Sequence, residues 1–414
     1  MKIINPSRDF ASRRMVYLPS ELIAHILDYV SQSTTRQPDL YSCCLVSQQW
    51  YSTSVSFLYE KPIITAGNFD KFADTVCPPS STAYSRRSAR DRGVDNLGQY
   101  VHVLDLTPLV HHSTNSRTTR LIGRMRKNLE VFVAPQSSFS TLNLSAISKC
   151  LKLTHLDLYY TISAIDFPSI KRSLRNLHHL TTLRLPRTCE ITDPANHIPW
   201  PSSLTHIRLN RRFTPAALDT LIWPPFIESL TFDSCPHLLS LISSPPSTST
   251  LPALKHPSLK RLRTLKLSPP PDLSIHKILT LLPNLTFLNL PQLNADDASL
   301  RAIAEMPSSS FIAHPLRTLE LSDTFPNLMI YPERFIATLK GVLRNLRFLG
   351  LDAEACMQFG NWDNEMEELE DALMESAATA TATAKVRRGG RHDDDDADDD
   401  GCETSAVVGV YYIR

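Results

Sequence analysis

Glycine is scarce in this sequence, with 11 residues among 414, whereas proline occurs 30 times. A protein built from β-hairpins needs glycine at its tight turns, so this composition favours strands joined by helices or by extended, proline-containing segments. No apolar run approaches the roughly 18 residues that a membrane-spanning helix requires. The stretch from Met1 to Met15 is charged and lacks the apolar core of a signal peptide. We therefore expect an intracellular protein, cytoplasmic and/or nuclear.

Catalytic and metal-binding signatures are also missing. The eight cysteines are scattered and include no Cys-x-x-Cys pair, which excludes a RING-type or zinc-finger signature and fits reduced thiols. No phosphate-binding Walker loop, Gly-x-Gly-x-x-Gly or Gly-x-Ser-x-Gly motif occurs. The 14 histidines fall into no recognisable nucleophile arrangement. The sequence therefore indicates a binding protein with no catalytic residue, metal ligand or cofactor.

The pattern Leu-x-x-Leu-x-Leu, with apolar substitutions, recurs along the middle of the chain. Ten copies start at residues 101, 129, 153, 180, 204, 227, 262, 285, 316 and 346, and their mean interval of about 27 residues is typical of leucine-rich repeats. Helical spacing of apolar residues predicts helices at Thr214–Ile222, Ser274–Leu282, Asn294–Met306 and Tyr331–Leu343. Each unit is thus predicted as a strand, a turn and a helix, and the stacked units form an irregular solenoid with a leucine core.

The net charge of +1 hides an asymmetry along the chain. Residues 361–414 hold 15 acidic and 5 basic residues, and Asp393–Asp400 is almost pure aspartate. Residues 1–360 hold 27 acidic and 38 basic residues. Such a tail is typical of disordered, low-complexity sequence. Within it we expect one acidic helix at Glu365–Leu373, capping the last repeat, and a strand folded back at Ala406–Ile413.

Two columns of the repeat array form the candidate substrate-binding surface. Side chains alternate along a strand, so the leucines point inward and the third and fifth motif positions point outward. Basic residues occupy the middle of the fifth column and aromatic residues the third, and both types are frequent binding anchors. We expect this surface to bind an acidic or phosphorylated peptide, and the alternative is an ordinary solvated face. The candidate residues are Arg184, Arg208, Lys266, Phe287 and Phe348.

A second pattern occupies residues 17–60. Pro19 opens one predicted helix, and a second predicted helix ends near Trp50. About 45 residues cannot form an ample core of their own, so we expect this unit to lean on another protein or on the solenoid. The apolar faces of the two helices comprise Leu22, Ile23, Ile26, Leu27, Val30, Leu40, Cys43, Cys44 and Val46.

This segment resembles an F-box. The family pattern is Leu-Pro-x-Glu-Leu, then Ile-Leu-x-x-Leu, then Leu-Val-Ser or Leu-Val-Cys, then Trp. One departure is the spacer Ser31–Asp39, several residues longer than usual, which we expect to lengthen the loop between the first two helices. The pattern is matched by Leu18, Pro19, Glu21, Leu22, Ile26, Leu27, Val30, Leu45, Val46, Ser47 and Trp50.

The resemblance implies an α/β fold of the fungal F-box and leucine-rich repeat type, in which a small all-α module precedes a horseshoe-shaped solenoid. With the repeat period and the composition, the predicted organisation is a flexible N-terminus at 1–16, the F-box at 17–60, a linker at 61–99, the solenoid at 100–360 and a disordered, acidic low-complexity tail at 361–414. The resemblance also implies docking to a Skp-type adaptor and, through it, to a cullin scaffold. Carried over residue by residue, the adaptor-binding site comprises Leu18, Pro19, Leu22, Ile26, Leu45, Val46 and Trp50.

These apolar residues have an alternative role as the core of the module. Core and interface are equally compatible with Ile23, Leu27 and Trp50, whereas interface is favoured for Leu18 and Pro19 at the start of the helix. The structure has to separate the two roles.

The implied function is that of a non-catalytic substrate-recognition subunit of an SCF-type ubiquitin ligase, which presents a protein substrate of unknown identity. The alternative is an interaction scaffold that keeps the adaptor but recruits no cullin. An autonomous ubiquitin ligase with a catalytic cysteine is disfavoured, because no cysteine lies in a recognisable catalytic domain. Neither nucleic acid nor a membrane is expected among the partners.

Overall fold

The computed structural model describes residues 18–77, 97–109, 115–210, 217, 220–233, 259, 261–267, 275–291, 314–322, 343–352, 364, 367–375, 378 and 409–413. Its first part is a module of three helices, α1 (Ser20–Ser31), α2 (Arg36–Cys44) and α3 (Gln48–Glu60). The helices pack around a small core of Ile23, Leu27 and Leu40. Ser47 caps α3, because its hydroxyl accepts a hydrogen bond from the backbone N–H of Trp50 at 3.3 Å.

The prediction of a longer loop between the first two helices is wrong. Helix α1 extends to Ser31 and α2 starts at Arg36, so only residues 32–35 separate them. The extra residues of the spacer form the first turn of α2. There the hydroxyl of Thr35 donates to the carboxylate of Asp39 at 2.6 Å. The insertion therefore lengthens a helix and not a loop.

The module is joined to the sheet through the end of α3. Arg36 on α2 donates hydrogen bonds to the carbonyls of Phe57 and Lys61, both at 2.7 Å. The carbonyl of Glu60, the last residue of α3, accepts the backbone N–H of His102 at 3.0 Å. A basic side chain on terminal carbonyls stabilises the end of a helix. These bonds fix the end of α3 against the beginning of the solenoid.

The rest of the described chain is organised by one parallel sheet of eleven strands, in which the strands follow each other in chain order. This order means that each repeat adds one strand beside the previous one, as in a solenoid. The strands are β1 (Val103–Asp105), β2 (Val131–Val133), β3 (His155–Asp157), β4 (Thr182–Arg184), β5 (His206–Asn210), β6 (Ser229–Asp233), β7 (Thr264–Leu267), β8 (Phe287–Pro291), β9 (Thr318–Ser322), β10 (Phe348–Asp352) and β11 (Gly409–Ile413).

The strand register aligns the predicted motifs without a slip. The fourth motif position of every repeat pairs with the fourth position of the next, and in β1–β10 these side chains are at most 2 % exposed. First- and sixth-position residues join the same core. The predicted solenoid with inward-facing leucines is therefore confirmed. The ladder runs Leu104, Phe132, Leu156, Leu183, Ile207, Leu230, Leu265, Leu288, Leu319, Leu349 and Val410.

Helices cover the inner side of this sheet. The helix predicted at Ser274–Leu282 is observed as α8 (Ile275–Leu281). The helix predicted at Asn294–Met306 lies outside the described residues, as do five of the nine residues of Thr214–Ile222 and all of Tyr331–Leu343 except Leu343. The remaining helices, for which the sequence carried no prediction, are α4 (Phe69–Val76), a 3-10 helix (Leu97–Tyr100), α5 (Asn115–Met125), α6 (Thr141–Ile147) and α7 (Phe167–Leu174).

Two elements come from the segments predicted as linker and tail. Helix α4 buries Phe69, Ala73 and Val76 in the solenoid core. In the tail, residues 367–375 form a helix, α9, whose Leu369 and Leu373 join the same core. Strand β11 pairs with β10 in parallel, as expected for a strand folded back at Ala406–Ile413. The acidic run Asp393–Asp400 lies outside the described residues.

A buried lysine holds the connection between β4 and β5. Lys171 on α7 is 1 % exposed and donates hydrogen bonds to the carbonyls of Pro194 and Ala195, at 3.2 and 2.9 Å. Its ammonium also lies 4.7 Å from the ring centroid of Trp200, a cation–π contact. Ala195 has a φ of 46°, a conformation that costs a non-glycine residue about 1–2 kcal/mol. Lys171 thus stabilises a strained turn.

Burial lowers the pKa of Lys171 from 10.5 to about 8, against the opposing effect of Asp193. The unfolded chain keeps the ordinary pKa, so between these two pH values it binds more protons than the folded chain. The stability contributed by Lys171 should therefore rise as pH rises through that window. We expect the difference in unfolding free energy between the native chain and Lys171→Met to shift in favour of the native chain by roughly 2–4 kcal/mol as the pH rises through this window. Urea denaturation from pH 7 to 10.5 measures this, and the exposed Lys149→Met variant should show no such change.

Candidate functional site

Helix α1 carries two adjacent apolar stripes with different environments. Ile23 and Leu27 lie one turn apart and are fully buried in the module core. Leu22 and Ile26, also one turn apart, are 50 % and 41 % exposed. A surface helix normally directs one apolar stripe to its core and exposes polar residues beside it. The second stripe is therefore surplus to the packing of the module.

The turn between α2 and α3 adds two more exposed apolar side chains. Leu45 and Val46 are 70 % and 63 % exposed. The amide of Gln49 donates to the carbonyl of Leu18 at 2.6 Å, which holds the start of α3 against the start of α1. We call Leu22, Ile26, Leu45 and Val46 the docking face. Large apolar side chains left exposed on one small module in this number indicate an interaction surface.

The remaining predicted adaptor-binding residues have mixed environments. Pro19 is exposed, whereas Leu18 and Trp50 are half-buried and pack against the module core. Ile23 and Leu27 belong wholly to the core. Sequence reasoning missed Tyr29, which extends the exposed stripe of α1 at the next helical position and is 77 % exposed. The i, i+4, i+7 spacing of Leu22, Ile26 and Tyr29 was the signal for it.

A cavity of about 510 Å³ lies beside the module, where α2, α3 and α4 meet. Its walls include Tyr41, Tyr59, Ile63 and Phe72. Gln37 on α2 donates to the carbonyl of Leu58 at 3.4 Å along the same junction. Because the walls come from three separate helices, no local sequence pattern indicated this cavity.

The second candidate site is the outer face of the sheet. The register places the third and fifth motif positions in two continuous columns, as the alternation of side chains predicted. Arg184 and Arg208 are direct neighbours in the fifth column, and Lys266 follows two strands further on. Phe287 lies opposite Thr264 in the third column, so it is next to the strand that carries Lys266. Phe348 lies further along the same column.

The arginines of this face are paired within the solenoid. Arg184 donates to the carboxylate of Asp157 at 2.9 Å, and Arg208 donates to that of Asp233. The guanidinium of Arg208 also lies 4.3 Å from the ring centroid of Tyr159. Burial lowers the pKa of Arg208, but the hydrogen bond and the charge of Asp233 outweigh it, so the pKa is raised. Their charges are thus largely offset before any ligand binds.

Lys266 is in a different state from the two arginines. Its ammonium lies 4.8 Å from the ring centroid of Phe287, and it is exposed. No carboxylate of the described residues lies within ion-pair distance of it. Lys266 and Phe287 therefore form the part of the face that combines an unpaired charge with an apolar surface.

Within the described residues, no three His, Cys, Asp or Glu side chains are grouped so that they could hold a metal ion. No helix in the same part of the chain is long and apolar enough to cross a membrane.

The helical module is similar to a known protein domain. Residues 15–65 match the F-box-like family model, which includes α1–α3 and the docking face. The chain therefore joins an F-box-like domain to a parallel-strand repeat solenoid, and the resemblance seen in the sequence is confirmed.

Two relatives of this chain come from yeasts. F-box protein YDR306C of Saccharomyces cerevisiae is 29 % identical over 48 % of this chain, but the match spans only 38 % of that relative. Protein pof5 of Schizosaccharomyces pombe is 26 % identical over 87 % of this chain and 96 % of the relative. The likeness to pof5 thus extends through the solenoid as well as the F-box-like domain.

Solved structures give more distant likenesses. An internalin from Listeria monocytogenes has 16 % identity and a TM-score of 0.30, over 69 % of this chain and 86 % of that one. The complex of Rad7 and Elc1 in yeast has a chain with 13 % identity and a TM-score of 0.34, over 76 % of this chain and 96 % of that one. Likenesses this distant say nothing about function, and the fold assignment rests on the strand register described above.

The two stripes of α1 differ in what they contribute to stability. Ile23→Ala removes a buried side chain and should lower the local stability of the module by about 2–5 kcal/mol. Leu22→Ala, one residue away, should change it by at most about 0.5 kcal/mol. Amide hydrogen exchange of α1 in the full chain measures both. Equal effects of the two substitutions would contradict the division into core and exposed stripes.

Proposed function

We propose that this protein is the substrate-recognition subunit of an SCF-type ubiquitin ligase. Its F-box-like domain docks on a Skp-type adaptor and, through that adaptor, on a cullin scaffold. The observation that carries the proposal is the docking face, an exposed apolar surface on a module whose core is formed by other residues. The match of residues 15–65 to the F-box-like model supports the identity of the partner. The chain supplies no catalytic step, and ubiquitin transfer is left to other subunits.

Adaptor binding should depend on the docking face and not on exposed leucines in general. Fully burying an aliphatic side chain is worth about 1.5–3 kcal/mol, so Leu45→Ser with Val46→Ser should weaken adaptor binding at least about tenfold. Both residues lie in a turn and are mostly exposed, so the fold should persist. Isothermal titration calorimetry of the purified chain with a Skp-type adaptor measures the loss of affinity.

The solenoid offers a matched control. Leu142 and Leu151 are 70 % and 58 % exposed, close to the values for Leu45 and Val46, but they lie on α6 and in the turn before β3. Leu142→Ser with Leu151→Ser should leave adaptor affinity unchanged. Full adaptor affinity in the Leu45 and Val46 variant would refute the docking assignment.

Recruitment of the cullin separates the alternatives. Capture of the tagged chain together with adaptor and cullin supports the ubiquitin-ligase subunit. Capture with the adaptor alone supports a cullin-independent scaffold. Thioester formation between the isolated chain and ubiquitin would instead support an autonomous ligase.

We further propose that the outer face of the sheet binds the protein substrate, with Arg184, Arg208, Lys266, Phe287 and Phe348 in contact with it. An acidic or phosphorylated segment fits this face, since Lys266 presents an unpaired ammonium beside the ring of Phe287. Arg184 and Arg208 would bind such a segment through the part of each guanidinium that Asp157 and Asp233 leave accessible. Phosphate binds well to such forked donors.

Substrate binding should be lost when the unpaired part of this face is changed. We expect Lys266→Glu with Phe287→Ala to abolish capture of substrates that accumulate when the proteasome is blocked, while adaptor capture stays intact. Quantitative mass spectrometry of the captured proteins compares this variant with the native chain. Lys149→Glu with Leu142→Ala makes the same change of charge and truncates an exposed apolar side chain at α6, away from this face, and serves as the control. An unchanged set of captured proteins would contradict the proposal.

A further inference from the structure

A row of arginines lies at the beginning of the last repeats, on the second motif position. Arg263, Arg317 and Arg347 immediately precede β7, β9 and β10. The backbone links them directly: Arg347 donates to the carbonyl of Arg317, Arg317 to that of Thr286, and Thr286 to that of Arg263, each at 2.8 Å. We call these three residues the arginine row.

Within the part of the chain that the structure describes, no ion pair neutralises the arginine row. Arg263 and Arg317 are exposed and Arg347 is half-buried. Among the described residues, no carboxylate lies within ion-pair distance of any of the three. Glu228, the next residue along the row, bounds it at β6 without forming an ion pair to Arg263. Arg317 and Arg347 precede adjacent strands, about 4.8 Å apart, and Arg263 lies two strand spacings from Arg317 because Thr286 stands between them. Like charges this close repel each other, so the row favours an anionic ligand.

Strand β11 begins beside this row. The backbone N–H of Gly409, the first residue of β11, donates to the carbonyl of Arg347 at 3.1 Å. Because β11 runs parallel to β10, its first residue, Gly409, lies at the end of the strands where the arginine row lies. The segment that precedes Gly409 follows α9, whose Leu369 and Leu373 are packed into the core. Gly409, at which that segment ends, is therefore held beside the row.

The distances allow contact. Asp393–Asp400 contains seven aspartates and ends nine residues before Gly409. An extended chain spans at most about 3.3–3.6 Å per residue, so nine residues reach ~30 Å. The arginine row crosses three strand spacings, or ~14 Å. The acidic run is thus long enough, near enough and of opposite charge.

We propose that Asp393–Asp400 binds the arginine row of its own chain. Tethering raises the effective concentration of such a segment to the millimolar range, so a weak ionic contact is populated. Lys266 lies on β7, three residues after Arg263. An acidic run bound to the arginine row would therefore lie next to the candidate substrate-binding face. The acidic run then competes with acidic segments of other molecules for this end of the sheet.

Competition in trans tests the proposal on the full chain. The probe is a fluorescent peptide with the sequence of residues 391–401, and its affinity is measured by anisotropy. We expect a chain in which the seven aspartates of 393–400 are changed to asparagine to bind the probe at least tenfold tighter than the native chain. Raising the salt to 0.5 M should reduce that binding, since exposed ionic contacts are screened.

The site is located with a second pair of variants in the neutralised chain. Arg317→Gln with Arg347→Gln should abolish probe binding, whereas Arg172→Gln with Arg175→Gln, the same change of charge on exposed residues at α7, should not. Equal affinity of the native and neutralised chains for the probe would overturn the proposal. So would probe binding that survives the loss of Arg317 and Arg347. Adaptor capture by the same variants reports on the proposed function separately, because the docking face lies in the helical module.

Discussion

The ladder of apolar side chains at the fourth motif position is the constraint on which the rest of the structure depends. A repeat of one short strand and one helix cannot bury its own apolar side, so each unit is stable only against its neighbours. Exact stacking of Leu104 on Phe132, and so on to Leu349, buries these side chains almost completely. Parallel register then follows, because a slip of one residue would turn every leucine to the solvent.

That register also creates the outer face. Once the leucines are stacked, the third and fifth positions of successive repeats are fixed about 4.8 Å apart, whatever residues occupy them. Which of these neighbouring side chains interact then depends on their charges and hydrogen-bonding groups. Asp157 and Arg184 pair on adjacent strands, and Asn289, Glu320 and Tyr411 are linked by hydrogen bonds of 2.8 and 2.7 Å. The absence of a side chain on Gly350, which lies between Glu320 and Tyr411 in the register, leaves room for the tyrosine to reach across the strand.

The sequence predicted those parts of the fold that rest on short-range periodicity. The repeated leucines indicated ten strands and the direction of their side chains, and the motif from Leu18 to Trp50 indicated the helical module. Helix α4 depends on contacts with distant parts of the chain, so no local pattern indicated it. The ion pair between Arg208 and Asp233 was hidden for a related reason. Asp233 lies just beyond the six-residue motif, and the bond joins two neighbouring repeats.

The helical module shows where sequence reasoning stops for the candidate site. Leu22, Ile23, Ile26 and Leu27 are chemically equivalent in the motif, and periodicity alone assigns all four to one apolar face. Only the packing of α1 on α2 and α3 shows that Ile23 and Leu27 are used for stability while Leu22 and Ile26 remain exposed. The arginine row was equally invisible, because its residues stand 54 and 30 positions apart in the sequence and meet only through the register.

The hydrogen bond from His102 to Glu60 ties the last turn of α3 to the first repeat at 3.0 Å. Each further repeat is displaced from that junction by one strand spacing, about 4.8 Å. A protein held at β4 and one held at β9 therefore sit some five steps, or ~24 Å, apart relative to anything attached to the docking face. The repeat at which a ligand binds therefore determines the distance between that ligand and a partner bound to the helical module.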